Sequence, residues 1–554
     1  MTRVNRWRSW WPPLFALAAM LAVAAPAALA NLTLTPEIRQ AMATIRPAQL
    51  RAHVRFLADD LLEGRDTHGT GIQIAARYLA SQFEQFGLEP AGDNGTYFQN
   101  VPFVATTVDS ERSSFTLRTG AGERSFRNGS EWVIEFPVEG ERTAGLVFAG
   151  YGIVAPEFRH DDYAGIEVRD RFVVVFDGEP PSTDPNVFDG ERPSVHSSLF
   201  RKMGRAAERG AAGLIVLQRP GAPAMVAPRR PRIALAGEEA RPGRQPAIAV
   251  ARIQPEAVGA FLAGQPIALP ALLEADRRGA LPRMLLAGEA TLRIAMARSE
   301  FTSPNVVAMR PGSDPALKHQ VVIFTAHYDH VGLGAPVAGD GIYNGAWDNA
   351  SGTAEVLEVA RAVAALPQAP RRTVMFLLVT GEEHGLLGSR YYVRNPRFPL
   401  KDTAANLNLD MTEIFGVGKQ IVAQGAERST LIESVRAVAA ARGLEIGEDP
   451  SADYIGNVFN RSDQASFARA GVPCLFLRWS GTHEGLTPDE SKRRGQEAYR
   501  TIYHRPADQF DPDWSWEGMA HHAQTAFLLG LHIANRDDMP AWNPGDEFAR
   551  IMRN

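Results

Sequence analysis

Short apolar runs that alternate with helical segments constrain the fold of this chain more than any other feature. Two apolar runs, 321–325 and 373–380, lie on either side of segment 350–366, in which apolar residues recur at helical spacing. The alternation continues, with strands expected at 406–410 and 473–477 and helices at 431–441 and 515–533. Strands that alternate with helices are typical of a mainly parallel α/β sheet. We therefore predict a mainly parallel mixed sheet that is flanked by helices.

Polar side chains of the kind that bind metals stand directly after three of these runs. Residues 327–330 follow the first run, 382–384 the second, and Asp410 ends the third. Two further groups lie in loops, Asp348 just before a helix and His504 late in the chain. In open α/β sheets, ligands bind outside the carboxyl ends of the strands. The mixture of imidazole and carboxylate at one sheet edge suits zinc.

A site with two metal ions has specific requirements. Ions about 3.5–4 Å apart need a bridging carboxylate, and each ion needs an imidazole and a further carboxylate. Catalysis also needs an acid or base that is close to the attacking water and is not itself a ligand. The adjacent Glu382 and Glu383 suit this requirement, because neighbouring side chains point in different directions and one can bind metal while the other carries a proton.

The ordered set of these motifs resembles peptidase family M28, the co-catalytic zinc aminopeptidases. The resemblance rests on segments 327–330, 348–352, 381–385, 408–410 and 503–508, which stand in the order found in the family. Segments 57–64 and 95–99 are similar to the amino-terminal portion of the family. The resemblance implies an aminopeptidase that holds two zinc ions per chain and hydrolyses peptides with a free amino terminus.

The resemblance also implies a ligand for each position of a dizinc site. His327 and Asp410 would bind one zinc ion, and Glu383 and His504 would bind the other. Asp348 would bridge the two ions. Cobalt or manganese could occupy the same ligands.

Three further residues receive catalytic roles from the resemblance. Glu382 would be the general base and acid, and the Tyr503 hydroxyl would hydrogen-bond the developing oxyanion. Asp329 lies two residues after His327, and its carboxylate would orient that imidazole if the segment is extended. A cis peptide is expected between Asp348 and Asn349.

The segment from about 106 to 300 has a different composition, in which short apolar runs alternate with Pro- and Gly-rich turns. Segments 150–152, 161–163 and 202–217 resemble the protease-associated (PA) domain that is inserted in some family members. Residues 225–245 contain five arginines and three prolines, which predicts an exposed loop. We expect a signal peptide at 1–30, the first part of the catalytic domain at 31–125, an inserted mostly-β PA-like domain at 126–295 and the main catalytic domain at 296–554.

The first 30 residues have the organisation of a secretory signal peptide. Three arginines precede an apolar run of 12 residues at 14–25, and residues 28–30 offer a cleavage site of the small-x-small type. A run of that length is shorter than the roughly 20 residues that span a membrane. We therefore expect an exported protein, periplasmic or secreted, with no membrane span in the mature chain.

Charge and cysteine content exclude several other classes. The chain has 58 Lys plus Arg against 63 Asp plus Glu, so it lacks the basic surface of a nucleic-acid binder. Cys474 is the single cysteine, which excludes an intramolecular disulfide and a cysteine-based zinc site. Its apolar surroundings predict a buried thiol.

Alternatives to the aminopeptidase stay open at this point. Arg478 ends an apolar run and could pair with a substrate carboxylate, which would favour a carboxypeptidase or dipeptidase, or it could meet solvent or a structural Asp. A glutaminyl-cyclase-like acyltransferase is possible on the same fold. A non-catalytic binding protein is disfavoured by the intact ligand set and Glu382. His330 and His384 are expected to be neighbours of the site and not ligands, and no motif fixes the oligomeric state.

Overall fold

The structure, a computed structural model, describes residues 32–225, 231–238, 248–451, 458–551 and 553. The predicted signal peptide lies outside the described residues, as do parts of the predicted loop at 225–245. Two sheets organise the described chain, one of ten strands and one of eight.

The larger sheet has a parallel centre and an antiparallel side. Numbered along the whole chain, its strands are β1 (Glu89–Pro90), β2 (Phe98–Val108), β11 (Arg232–Leu235), β14 (Met296–Arg310), β15 (Val321–His327), β18 (Thr373–Val379), β19 (Thr403–Leu409), β20 (Gln420–Gln424), β21 (Glu445–Gly447) and β22 (Cys474–Arg478). Their order is β11-β2-β14-β18-β15-β19-β22-β20-β21, and β1 pairs with β14. The central strands β18, β15, β19 and β22 are parallel to one another, whereas β11, β2 and β14 pair antiparallel.

Helices cover both faces of this sheet. The described α-helices are α1 (Pro36–Met42), α2 (Pro47–Leu57), α3 (Thr70–Gln85), α4 (Leu199–Glu208), α5 (Val258–Phe261), α6 (Leu269–Arg277), α7 (Gly352–Ala365), α8 (Leu387–Arg394), α9 (Ile432–Arg442), α10 (Gln464–Ala468), α11 (Pro488–Thr501) and α12 (Trp516–Asn535). The predicted mixed α/β sheet with flanking helices is confirmed. Within the described ranges, no helix has both the length and the apolar character needed to cross a membrane.

Alternate side chains of the central strands pack into two hydrophobic cores, one on each face of the larger sheet, as expected for strands that are buried on both faces. In β15, Val322 and Phe324 pack with α3, α7 and α12. Ile323 instead packs on the opposite face, together with Cys474, which is buried as predicted. In α3, the apolar residues of one side, from Ile72 to Phe83, recur at helical spacing and are buried.

The smaller sheet is built from the middle of the chain. Its strands are β3 (Ser114–Thr119), β4 (Gly122–Phe126), β5 (Trp132–Phe136), β6 (Gly140–Ala149), β9 (Phe172–Phe176), β10 (Gly213–Leu217), β12 (Val250–Ile253) and β13 (Arg283–Ile294). Two small hairpins complete the strands, β7 (Val154–Ala155) with β8 (His160–Asp161) and β16 (Gly332–Val337) with β17 (Asp340–Tyr343). Helices α4, α5 and α6 pack against the smaller sheet. How the chain divides into domains stays a prediction.

The prediction of an exposed loop at 225–245 is wrong for the part that the structure describes. β11 extends the larger sheet by pairing with β2, and Ile233 and Leu235 are buried against Phe103 and Leu387. The neighbouring arginines and prolines hide this two-residue alternation in the sequence. Beyond β11, Glu238 pairs with Arg390 of α8, which joins this segment to the larger sheet.

The packing of Phe324 between β15 and α12 yields a stability prediction. Its ring is fully buried, lies 5.7 Å from that of Phe376, and contacts the helix at Gly530. Because Phe324→Ala leaves a cavity, we expect it to lower the free energy of unfolding by about 3–5 kcal/mol in urea denaturation. Phe200→Ala is the matched control, since Phe200 is 65% exposed, and a change of less than about 0.5 kcal/mol is expected. Equal effects of the two substitutions would contradict this packing.

Candidate metal centre

Five side chains predicted as metal ligands converge at one edge of the larger sheet. His327 ends β15, Glu383 follows β18, and Asp410 follows β19. Asp348 precedes α7, and His504 lies between α11 and α12. Because β18, β15 and β19 are adjacent and parallel, their carboxyl ends meet, and the two loops complete the cluster.

Asp348 lies between the two histidines. Its Oδ1 is 3.2 Å from Nε2 of His327, and its Oδ2 is 3.0 Å from Nε2 of His504. On the first side, Oδ1 of Asp410 is 3.4 Å from the same nitrogen of His327. On the second side, Oε2 of Glu383 is 3.1 Å from Nε2 of His504. The cluster therefore consists of two half-sites that share one carboxylate.

The donor atoms of these half-sites fit a metal ion. Within the described residues, Oδ1 of Asp410 is buried and lacks a hydrogen-bond partner, with Nε2 of His327 3.4 Å away, whereas the buried Oε1 of Glu383 pairs with Nδ1 of His330 at 2.8 Å. Ligand atoms of His327, Asp348 and Glu383 lie within 4.8 Å of one another across the two half-sites, and a carboxylate oxygen of Glu382 lies within that distance of His327 and Asp410. Buried carboxylates without partners are costly, and a divalent cation would compensate their charge. The imidazole and carboxylate donors suit zinc.

The carboxylates dominate the electrostatics of the cluster. Burial opposes a charge on His504, but the carboxylates of Asp348 and Glu383 raise its pKa to about 11. Burial would raise the pKa of Glu383, but the adjacent His330 and His504 lower it to about 2. A metal ion must therefore displace a proton from His504, since only the neutral imidazole binds metal.

Glu382 lies beside the cluster and is half-buried. Burial raises its pKa well above the usual range, and the carboxylates of Glu383 and Asp463 raise it further, against the opposing effect of His327. Glu382 therefore lies beside side chains that suit a metal ion, and its raised pKa allows it to accept a proton and return it.

Asp329 lies beside His327 and also holds the backbone of the loop that carries Glu382. Nδ1 of His327 is 3.1 Å from the backbone oxygen of Asp329 and 3.8 Å from its Oδ1. The carboxylate accepts hydrogen bonds from the backbone amides of Glu382 and Glu383, at 3.1 and 3.3 Å. That this carboxylate orients the imidazole stays a prediction.

Tyr503 lies between the predicted ligand His504 and the helix α11. Its ring stacks on that of His504 with centroids 3.9 Å apart, and on that of Tyr499 of α11 at 4.5 Å. Burial and the carboxylates of Asp348 and Glu383 raise the pKa of its hydroxyl. The hydroxyl is therefore protonated at neutral pH and can donate a hydrogen bond, and its contact with an oxyanion stays a prediction.

Arg65, which the sequence analysis did not single out, ties the amino-terminal segment to the loops that carry the predicted ligands. It is fully buried and donates hydrogen bonds to the backbone oxygens of Tyr328, Asn344 and Gly345, at 2.7, 2.7 and 2.9 Å, and to that of Leu57. Burial lowers its pKa to about 10, so it stays charged at neutral pH. No motif pointed to it, because its partners are backbone atoms.

Asp508 also holds the backbone of a loop, the one that carries Asp348. Its two oxygens accept hydrogen bonds from the backbone amides of Trp347 and Asp348, at 2.7 and 3.0 Å. The peptide between Asp348 and Asn349 is cis, as expected. Asp508 is part of the last motif of the predicted series, so the sequence did contain a signal for it, although no role was assigned.

The two histidines that were expected to be neighbours of the site both lie beside it. Nδ1 of His330 is 2.8 Å from Oε1 of Glu383, and Nε2 of His384 is 3.3 Å from Oδ1 of Asp66. His330 therefore lies closer to a predicted ligand than the sequence indicated.

The ligand cluster forms one wall of a cleft of about 420 Å³. The remaining lining includes Phe476, Tyr499 and three arginines, 461, 469 and 478. The cleft is the space in which a substrate can reach Glu382 and the cluster.

Comparison with known proteins identifies the family of this region. Residues 305–529 match the model described as Peptidase family M28. Leupeptin-inactivating enzyme 1 of Streptomyces exfoliatus is 30% identical over 226 residues, which are 40% of this chain and 47% of that protein. Aminopeptidase YwaD of Bacillus subtilis (strain 168) is 36% identical over 125 residues, 22% of this chain and 24% of that protein. The chain therefore matches less than half the length of either relative.

Solved structures share the fold over most of the chain. The aminopeptidase from Aneurinibacillus sp. strain AM-1 aligns with a TM-score of 0.51 at 20% identity and covers 92% of this chain and 98% of its own. BSAP, a zinc aminopeptidase from Bacillus subtilis, aligns with a TM-score of 0.50 at 19% identity over the same shares.

The buried guanidinium of Arg65 leads to a prediction about metal content. We expect Arg65→Met to lower both the bound zinc and the thermal midpoint, because four buried carbonyls lose their donor at about 1–3 kcal/mol each. Zinc per chain would be measured by mass spectrometry after dialysis against buffered zinc, and unfolding by circular dichroism.

Two further variants make this test specific. Arg65→Lys retains the charge and should fold if Arg65→Met does not. Arg77→Met is the control, because Arg77 is on the exposed side of α3 and bonds to Gln73 of the same helix. Normal zinc content and normal stability in Arg65→Met would refute the proposed link to the ligand loops.

Proposed function

From the match of residues 305–529 to peptidase family M28, we propose that the chain is a zinc-dependent aminopeptidase that releases the amino-terminal residue of peptides. One observation carries the proposal, the pair of half-sites that share Asp348 with Glu382 beside them. The names of the relatives support it, since one is an aminopeptidase and a structure with the same fold is a zinc aminopeptidase.

In the proposed mechanism, each half-site holds one ion. His327 and Asp410 would hold one zinc, Glu383 and His504 the other, and Asp348 both. Bound zinc lowers the pKa of a water molecule and polarises a carbonyl oxygen.

Proton transfer is assigned to Glu382. Its carboxylate takes a proton from the attacking water as the new C–O bond forms, and it returns that proton to the nitrogen as the peptide C–N bond breaks. Asp329 holds the backbone of Glu382 in position through its amide. Tyr503 would donate a hydrogen bond to the oxygen that becomes negative. The ammonium group of the substrate would lie near the carboxylates of the second half-site, which favours exopeptidase action.

Two proposals concern the rest of the chain. We propose that residues 1–30 direct export to the periplasm or the medium, and that residues 126–295 form a PA-like domain. The composition of the first 30 residues supports the former. Six of the eight strands of the smaller sheet lie within residues 126–295, which supports the latter, whereas β3 and β4 begin before residue 126.

The activity is tested with peptides that differ at the amino terminus. We expect the purified chain to release leucine from Leu-Leu-amide and not from its N-acetyl form, because the free ammonium group is needed for binding. Chelation should abolish the reaction and added zinc should restore it. Amino acid analysis of the products measures both effects. Equal hydrolysis of the acetylated peptide, or activity unaffected by chelation, would exclude a zinc aminopeptidase.

The role of Glu382 is tested by Glu382→Gln. Because the amide cannot accept the proton, we expect kcat to fall by about 10²- to 10⁴-fold, with the zinc content unchanged. Glu484→Gln is the control, since Glu484 is exposed and distant in sequence from the proposed ligands. A variant at position 382 with the kcat of the unaltered chain would show that another group carries the proton.

A further inference from the structure

The charged residues that line the cleft fall into two sets, carboxylates and arginines. The acidic residues among those that the structure describes in the lining are the proposed ligands and Glu382. The remaining charged residues of this lining, Arg461, Arg469 and Arg478, form the arginine wall. A substrate in the cleft therefore meets both carboxylates and guanidinium groups.

Arg478 forms the buried part of the arginine wall and has unused donors. It is 1% exposed, and its guanidinium lies 4.0 Å from the ring centre of Trp479. Nη1 donates to the backbone oxygen of Asp410 at 2.9 Å. Nε is 3.5 Å from Oδ2 of Asp449, yet neither Nε nor Nη2 has a hydrogen-bond partner among the described residues. The buried Asp449 supplies a counter-charge to Arg478, as one of the two alternatives from the sequence expected. Nε and Nη2 still lack hydrogen bonds, which is costly for a buried guanidinium, and a substrate carboxylate would accept them.

Arg461 and Arg469 form the exposed part of this wall. Both side chains are exposed. Nη2 of Arg469 is 3.5 and 3.4 Å from the backbone and side-chain oxygens of Asn460, which are neutral groups. Neither arginine forms an ion pair within the described part of the chain that would cancel its charge. The positive wall therefore continues from the buried Arg478 to solvent.

We propose that this arginine wall binds a carboxylate of the substrate, so that the enzyme prefers short peptides with a negative charge close to the scissile bond. The proposal rests on the aminopeptidase function proposed above. Asp410 gives its backbone oxygen to Arg478, and its carboxylate faces His327. Arg478 therefore lies within the length of one substrate residue of the proposed metal ligands. A carboxylate bound to Arg478 would then belong to one of the two substrate residues that flank the cleaved bond.

The carboxylate has two possible sources, which the experiment separates. Asp-Leu-amide against Asn-Leu-amide tests a side-chain carboxylate of the amino-terminal residue. Leu-Leu against Leu-Leu-amide tests the α-carboxylate of a dipeptide. We expect kcat/KM to be at least about tenfold higher for the charged member of one pair, as for a hydrogen-bonded ion pair. The pair that shows the preference identifies the source.

Other outcomes separate the inference from the proposed function. Hydrolysis of the neutral amides with a preference below about twofold in both pairs would overturn the arginine-wall proposal and leave the aminopeptidase intact. Failure to hydrolyse any peptide with a free amino terminus would overturn the aminopeptidase itself.

Variants of the wall test its residues directly. We expect the double substitution Arg461→Gln with Arg469→Gln to reduce the preference ratio at least threefold, and Arg478→Lys to reduce it because a single ammonium cannot bind a carboxylate bidentately. The double variant should fold normally because both of its substitutions are at exposed positions, even if a substitution of Arg478 disturbs the backbone of Asp410. Arg493→Gln with Arg500→Gln is the charge-matched control for the double substitution, since these side chains are 62% and 73% exposed and lie outside the cleft lining. A ratio that stays unchanged in both wall variants would overturn the proposal.

Discussion

The concentration of carboxylates at the carboxyl edge of three parallel strands is the constraint on which the rest of the site depends. Asp348, Glu383 and Asp410 all face histidine nitrogens at 3.0–3.4 Å, in a region largely removed from solvent. Negative charge at this density needs positive charge nearby, because desolvated ions without partners are unfavourable. The histidines supply part of it, and under the proposed function divalent cations would supply the rest, next to the unpartnered Oδ1 of Asp410.

Hydrogen bonds to the backbone hold the loops that carry these groups. Arg65 binds carbonyls of the loops after His327 and before Asp348, whereas Asp508 binds amides of the latter loop. Asp329 does the same for the loop of Glu382. The loops are thus fixed by buried charged side chains of either sign, each of which matches the backbone groups that it meets. This arrangement links the amino-terminal segment to a site whose ligands all come from the second half of the chain.

Backbone contacts of this kind explain which parts of the site the sequence could not reveal. The ligand candidates follow apolar runs in a recognisable order, so His327, Glu383 and Asp410 could be read from the sequence. Arg65 has no such pattern, since its partners are carbonyl oxygens that any residue offers. The hydrogen bonds that Asp329 accepts from the amides of Glu382 and Glu383 were not predicted, because they join two loops that are far apart in the sequence. β11 was missed because arginines and prolines surround its short alternation.

The sequence by itself determined the alternation of strands and helices, the sheet edge at which polar groups gather, and the types of donor found there. These features are local, since periodicity and the residue after a strand depend on neighbouring positions. The tertiary structure decided the antiparallel side of the larger sheet, the pairing of β11 with β2, the sharing of Asp348 by two histidines and the contact of Arg478 with the backbone of Asp410. Each of these depends on residues far apart in the chain, whose contacts are fixed only when the whole core packs.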